Sequence, residues 1–110
     1  IPGRVITYCT DTLPCENALV LARDCDVLVH DATFSDAYAD HAEPTQHCTS
    51  RQAAQVAGIA GAWRLMLWHL SIRVHGEQEA ELLAQAREEF PNAELPVDLQ
   101  EIIVNRRAMP

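Results

Sequence analysis

Lysine is absent from this chain of 110 residues, and its eight basic side chains, all arginines, face sixteen carboxylates, for a formal net charge of −8. A bulk charge of that sign excludes broad, salt-driven binding of nucleic acid by this segment. It leaves open a phosphate meeting a local metal site or the planar fork of Arg73. No apolar run approaches the length that crosses a membrane, and no charged-then-apolar leader opens the chain. Glycine is scarce: Gly3, Gly58, Gly61 and Gly76 form neither G-x-G-x-x-G nor a P-loop, which counts against a nucleotide-binding doubly wound domain. Cys9, Cys15, Cys25 and Cys48 contain no C-x-x-C pair, so neither a zinc ribbon nor a thioredoxin-type motif is present. Reduced thiols in a cytoplasmic protein are the simpler reading. Repeats and low-complexity tracts are lacking too. The length allows one domain with a modest core. Because the chain opens within a few residues of a strand, it is expected to be the C-terminal piece of something longer.

What is present alternates in type. Residues 4–8, RVITY, are β-branched and aromatic and read as a strand. Pro14 suits the first turn of a helix whose stripe is Ala18, Leu21 and Ala22. Residues 26–29 form a second short strand. Residues 34–46 have no clean period and read as a mobile surface loop with room for one helical turn. Thr49-x-x-Gln52 is a capping box, and Ala53, Val56, Ala57 and Ala60 give the following helix a small-residue face that ends at Gly61. Residues 65–68 are uniformly apolar, as in a strand buried on both faces. Residues 77–90 form an amphipathic helix with Leu83, Ala86 and Phe90 inward, and residues 102–104 are the expected last strand. The order β-α-β-loop-α-β-α-β implies an α/β fold with parallel pairing of at least the first three strands.

Polar clusters sit where those strands stop: Thr10-Asp11-Thr12, His30-Asp31-Ala32-Thr33-Phe34 and His69-Leu70-Ser71. A fourth, His47-Cys48-Thr49, precedes the capped helix. Loops after parallel strands converge on one edge of an open sheet, where ligand sites form. Carboxylates and imidazoles gathered there suit a metal-centred hydrolytic site. Taken singly, each residue has a plainer reading. Asp11 caps a helix, His69 is a half-buried strand-end histidine, Asp31 lies in a surface turn, and His47 and Arg73 are loop residues. Taken together, Asp11 and His69 are candidate metal ligands, Asp31 orients an imidazole, and His47 is that imidazole and a proton donor. Arg73 is a candidate phosphate contact. His41 and His75 read as surface residues.

In order, these motifs resemble the C-terminal half of ribonuclease Z, the tRNA 3′-processing endonuclease family of the metallo-β-lactamase superfamily. Thr10-Asp11-Thr12-Leu13-Pro14-Cys15-Glu16-Asn17 resembles G-D-T-x-P-C-E-N, and His30-Asp31-Ala32-Thr33-Phe34 resembles H-E-A-T-F. His47-Cys48-Thr49 resembles H-S-T, and Leu67-Trp68-His69-Leu70-Ser71-Ile72-Arg73 resembles L-T-H-F-S-S-R. The resemblance implies half of an αββα sandwich, with residues 1–110 as a partial metallo-hydrolase domain. It implies two zinc ions, bridged by Asp11 and bound by His69. His47 would assist at the leaving group, supported by Asp31, and Arg73 would meet phosphate. The reaction implied is attack of zinc-activated water on an RNA phosphodiester in precursor tRNA, in a homodimeric enzyme with no membrane partner. The H-x-H-x-D-H segment of the family's N-terminal half is absent from this sequence, so the chain is expected to be inactive alone. Thr10, Asp31, Cys48 and Trp68 depart from the family's Gly, Glu, Ser and Thr. Those departures keep two alternatives open: another hydrolase of the same superfamily, or a non-catalytic derivative.

Overall fold

Four strands, all parallel, lie side by side in chain order, β1 (Ile6–Cys9), β2 (Val27–Asp31), β3 (Arg64–Trp68) and β4 (Ala93–Glu94), in a computed structural model that describes residues 3–71 and 74–105. The helices between them are α1 (Glu16–Ala22), α2 (Ala39–Ala42), α3 (Ser50–Ala60) and α4 (Glu77–Glu89). Strand register sets the faces. Ile6 pairs with Val27 and Val27 with Arg64, and alternate residues share a side. Cys9, Leu28, Leu65, Leu67 and Ala93 point into one core with Ala18 and Ala22 of α1, the alanines of α3, and Leu82 and Ala86 of α4. On the opposite side Ile6, Tyr8 and Trp68 stay 60%, 57% and 40% exposed. The helices thus cover one face of the sheet; on the other Val27 and Met66 are also buried, at 4% and 2%, while Ile6, Tyr8 and Trp68 stay in solvent.

The small residues of α3 explain how closely it seats. Ala53, Ala54 and Ala57 are fully buried, and Thr49 and Gln52 complete the expected capping box in both directions. Gly61 ends the helix at φ 75°, and a Cβ there would stand 2.9 Å from Asp24 Oδ1. The Ser50 hydroxyl donates to the Leu82 carbonyl at 2.7 Å, tying α3 to α4. Cys9 and Cys25 pack in the core as expected, and none of the four cysteines forms a disulfide. Among the described residues no helix is long and apolar enough to cross a membrane.

Several expectations need correction. β2 runs on through His30 and Asp31, which hold places in the ladder opposite Leu67 and Trp68 and so stand inside the sheet. The last strand is Ala93–Glu94. Leaving α4 at Pro91, the chain meets the free edge of β3, where the Leu65 N–H donates to the Asn92 carbonyl at 3.0 Å. Residues 102–104 form no ladder. The carbonyls of Ile103 and Val104 accept instead from Arg64 and Arg4. Leu21 is 65% exposed because the seven-residue α1 turns only Ala18 and Ala22, one turn apart, toward the sheet. That helix begins at Glu16, two residues after Pro14. Residues 34–46 contain a 3₁₀ turn (Asp36–Tyr38) as well as α2, and Phe34 bridges to Thr49. In α4 Ala86 is fully buried as expected, but the large side chain buried with it is Leu82, while Leu83 and Phe90 only flank the core. Leu82→Ala should therefore cost about 2–5 kcal/mol in urea unfolding, and Leu83→Ala clearly less. A larger loss at Leu83 would mean that α4 presents the other face.

Candidate metal centre

β1, β2 and β3 all end at the same edge of the sheet, and the residues that follow them meet there. Asp11 lies just beyond β1 at φ 50°, Asp31 is the last residue of β2, and His69 follows β3 at φ 59°. His47 arrives on the loop into α3. One side-chain donor atom from each of Asp11, Asp31, His47 and His69 lies within 4.8 Å of all the others. The four residues singled out by position in the sequence are thus brought together. Arg73 lies outside the described residues, as does the Arg106-Arg107 pair. His41 and His75 are exposed.

Asp31 is the fixed point. Its carboxylate is fully buried and accepts on Oδ1 from the Thr33 N–H at 3.1 Å and the Thr33 hydroxyl at 2.8 Å. On Oδ2 it accepts from the Thr12 N–H at 3.2 Å and from His47 Nδ1 at 2.8 Å. Although one methylene shorter than glutamate, it reaches the imidazole. Burial alone would raise this carboxyl. The His47 hydrogen bond, the two Thr33 hydrogen bonds and the His47 charge outweigh it and hold the group below the usual carboxylate range. Its Nδ1–H committed to Asp31, His47 keeps Nε2 as the nitrogen that can gain or release a proton.

Thr33 does for His69 what Asp31 does for His47. The Thr33 hydroxyl lies 2.8 Å from Asp31 Oδ1, 2.8 Å from the His69 carbonyl and 3.2 Å from His69 Nδ1. A hydroxyl has one proton, and the carboxylate is the strongest of these acceptors. Its oxygen then accepts from His69 Nδ1–H, and the lone pair on Nε2 points at Asp11 Oδ1, 3.3 Å away. Two lone pairs that close repel unless a proton or a cation lies between them. The separation also matches the edge of a tetrahedron with bonds of about 2.0 Å, the zinc–nitrogen and zinc–oxygen length. Asp11 and His69 are 67% and 41% exposed, so both are open to an incoming ion. The rings of His47 and His69 stack at 5.0 Å. The residues present therefore fit a metal held by nitrogen and oxygen donors. Sequence reasoning gave Thr33 no role. Its signal was the Asp31-x-Thr33 spacing, which suits a side chain bonding two residues on.

Behind the site, His30 and Cys48 form a buried pair. His30 Nδ1–H donates to the Asp31 carbonyl at 2.9 Å and the Cys48 thiol to the same oxygen at 2.9 Å. Among the described residues His30 Nε2 has no partner, and burial holds this imidazole's pKa down and pushes the thiol's up, so both stay neutral.

Two outcomes follow. Thr33→Val removes a hydroxyl without changing shape and leaves a buried carboxylate oxygen short of a donor. It should cost about 1–3 kcal/mol in urea unfolding, with Thr33→Ser restoring most of it, and no loss would mean that water replaces the hydroxyl. The second concerns pH. Because the folded Asp31 pKa lies below the unfolded one, near 3.9, its ionised form stabilises the fold above that value. The stability is lost as pH falls through the lower folded pKa. Asp31→Asn should therefore lower the melting temperature at neutral pH and flatten its fall in acid; an unchanged acid limb would assign that limb to other carboxylates.

No family model matches the chain. It is 47% identical over 104 residues to ribonuclease Z of Geobacillus kaustophilus, and 46% identical over 103 residues to that of Exiguobacterium sibiricum. Each match takes in 94% of this chain and 34% of the relative. The chain thus spans about a third of the length of the curated relatives it matches. Among solved structures it superposes on human tRNase Z, short form, with TM-score 0.68 and 27% identity, over 94% of this chain and 34% of that one. It also superposes on the metallo-β-lactamase fold protein YhfI of Bacillus subtilis, with TM-score 0.71 and 22% identity, over 83% and 36%. Sequence and fold agree: the chain is homologous to about a third of ribonuclease Z and carries part of the metallo-β-lactamase fold.

Proposed function

We propose that this chain is part of a zinc-dependent endoribonuclease that matures tRNA 3′ ends by phosphodiester hydrolysis in the cytoplasm. The observation that carries the reading is the outward pair Asp11 Oδ1 and His69 Nε2, 3.3 Å apart, beside the Asp31–His47 pair, in a homologue of ribonuclease Z. Asp11 and His69 would hold metal. Two zinc ions, when bound, would supply Lewis-acid stabilisation of the phosphate and an acidified water. Asp31, through Nδ1, would keep the His47 ring turned so that Nε2 donates a proton to the leaving oxygen. Arg73 is assigned to phosphate on sequence alone. Other donors would come from an H-x-H-x-D-H segment outside this chain, so the chain alone would be inactive. The apolar side chains on the uncovered sheet face would be covered in the complete, homodimeric enzyme.

The test is metal content and precursor-tRNA cleavage of the complete gene product, beside this chain alone and two variants. Asp11→Ala should lose metal and cleavage together. His47→Ala should keep its metal and cleave about 10²–10⁴-fold more slowly. The likeness to YhfI supports a second reading, another hydrolase of the same fold. Metal retained without cleavage of precursor tRNA would decide for it, and a complete product without metal would leave a non-catalytic derivative.

A further inference from the structure

Asp31 holds His47 by one atom. The hydrogen bond from Nδ1 to Oδ2, at 2.8 Å, fixes a point of the imidazole and leaves its plane free to turn about the bond. Nε2 lies off that axis, so a turn of the ring swings the direction in which it offers a proton. Two ring contacts remove this freedom. The His69 ring stacks on His47 at 5.0 Å with 23° between the planes, and the Phe34 ring meets it at 6.4 Å and 73°. Offset-stacked and edge-to-face pairs at such distances are the arrangements that ring quadrupoles favour.

Phe34 is itself tied down. Its N–H donates to the Cys48 carbonyl at 3.4 Å and its carbonyl accepts from the Ser50 N–H at 2.9 Å, so it clamps the chain leading from His47 into α3. Half-buried Tyr38 and exposed His41 pack against its ring at 6.5 and 6.3 Å, and against each other at 5.9 Å. Those two ride on the 3₁₀ turn and α2, and the turn is anchored at its first residue. The Asp36 N–H donates to the Gln85 side-chain oxygen on α4 at 2.9 Å, and its carboxylate accepts from Arg51 Nε on α3 at 2.8 Å. Arg51 also pairs with Glu88 and Glu89 of α4. Exposed ion pairs are weak singly, but here one guanidinium joins two helices and a turn. A line of contacts thus runs from α3 and α4 through Asp36, then Tyr38 with His41, then Phe34, to the His47 ring.

We propose that Phe34, braced by Tyr38 and His41, is a positioning residue that sets the plane of the His47 imidazole and so the direction of its Nε2 proton. What that proton does rests on the ribonuclease reading, but the orientation is read without activity, so the two fail separately. Nuclear Overhauser spectra of the substrate-free complete gene product should show His47 ring protons in contact with those of Phe34 and His69. Phe34→Leu should weaken the His47–His69 contacts, and Phe34→Tyr should keep them. In precursor-tRNA cleavage Phe34→Leu should lower kcat about 10–10²-fold, as for a misplaced group, with KM and metal content unchanged and Phe34→Tyr restoring most of the rate. A precursor whose leaving oxygen is replaced by sulfur should erase the difference, because a thiolate departs without a proton. Phe34→Leu should also cost nothing further in His47→Ala. The Tyr38→Ala, His41→Ala double variant removes only the brace; it should show the same pattern more weakly, and carries the test if Phe34→Leu fails to fold. Unchanged His47–His69 contacts in folded Phe34→Leu, a defect that persists with the sulfur precursor, or a further loss in His47→Ala overturns the proposal. Ring contacts that respond as expected in a product that never cleaves precursor tRNA support the positioning role and overturn the ribonuclease reading alone.

Discussion

A carboxylate with no exposed surface sits at the end of the central strand, and the arrangement of the loops follows from it. An ionised group taken out of water costs several kcal/mol unless every lone pair finds a donor. Asp31 finds them on separate segments: the Thr12 N–H after β1, both Thr33 donors after β2, and His47 before α3. Each loop is drawn to the same point because leaving it would strand a buried charge. Through the Thr33 hydroxyl the hold extends to His69 after β3. One anion thus converts adjacent strand ends into a fixed constellation, which is how a site on loops acquires the rigidity of the sheet beneath.

The sheet itself is two-sided in chemistry. Alanines in α3 let the helical layer sit close over Cys9, Leu28, Leu65 and Leu67, and that side is dry. The other side presents Ile6, Tyr8 and Trp68 to solvent. Tyr8 and Trp68 meet edge to edge across the sheet and Ile6 lies two residues before Tyr8, and grouped exposed apolar side chains of that kind mark an interface. Trp68 belongs both to this face and to the rim of the metal-ligand cluster, so whatever covers the sheet also bears on the site.

Much of this was legible in the sequence, for physical reasons. β-branched residues marked β1 and β2, a uniformly apolar run marked β3, the Thr49–Gln52 pair marked the start of α3, and polar residues at strand ends marked the site, because parallel strands bring those ends to one edge. Failures came where tertiary contacts outweighed local pattern. Residues 102–104 have strand propensity but pair with neither edge of the sheet; Ala93–Glu94 had taken the open side of β3, and the carbonyls of Ile103 and Val104 went to the arginine side chains of Arg64 and Arg4. Leu82 and Leu83 are adjacent and equally apolar, so only the placement of α4 against α3 decides which is buried. Asp31 reads as a turn residue because nothing local announces the donors that allow it to stay in the ladder. The Asp31-x-Thr33 spacing points to Asp31 only; the hold of Thr33 on His69 was not legible for the same reason, since that partner is thirty-six positions away.

Geometry also divides the labour among the four clustered side chains. Asp31 Oδ1 and Oδ2 already accept hydrogen bonds, and His47 has committed Nδ1. Asp11 and His69 face each other with Oδ1 and Nε2 3.3 Å apart, a separation that a proton or a cation must bridge. Zinc sites take three or more protein donors, so on the proposed reading two residues cannot complete one. The remaining donors would approach from the exposed side of Asp11 and His69. On that reading, a further layer of protein reaching both Asp11 with His69 and the exposed Ile6, Tyr8 and Trp68 would supply the remaining donors and cover those side chains together.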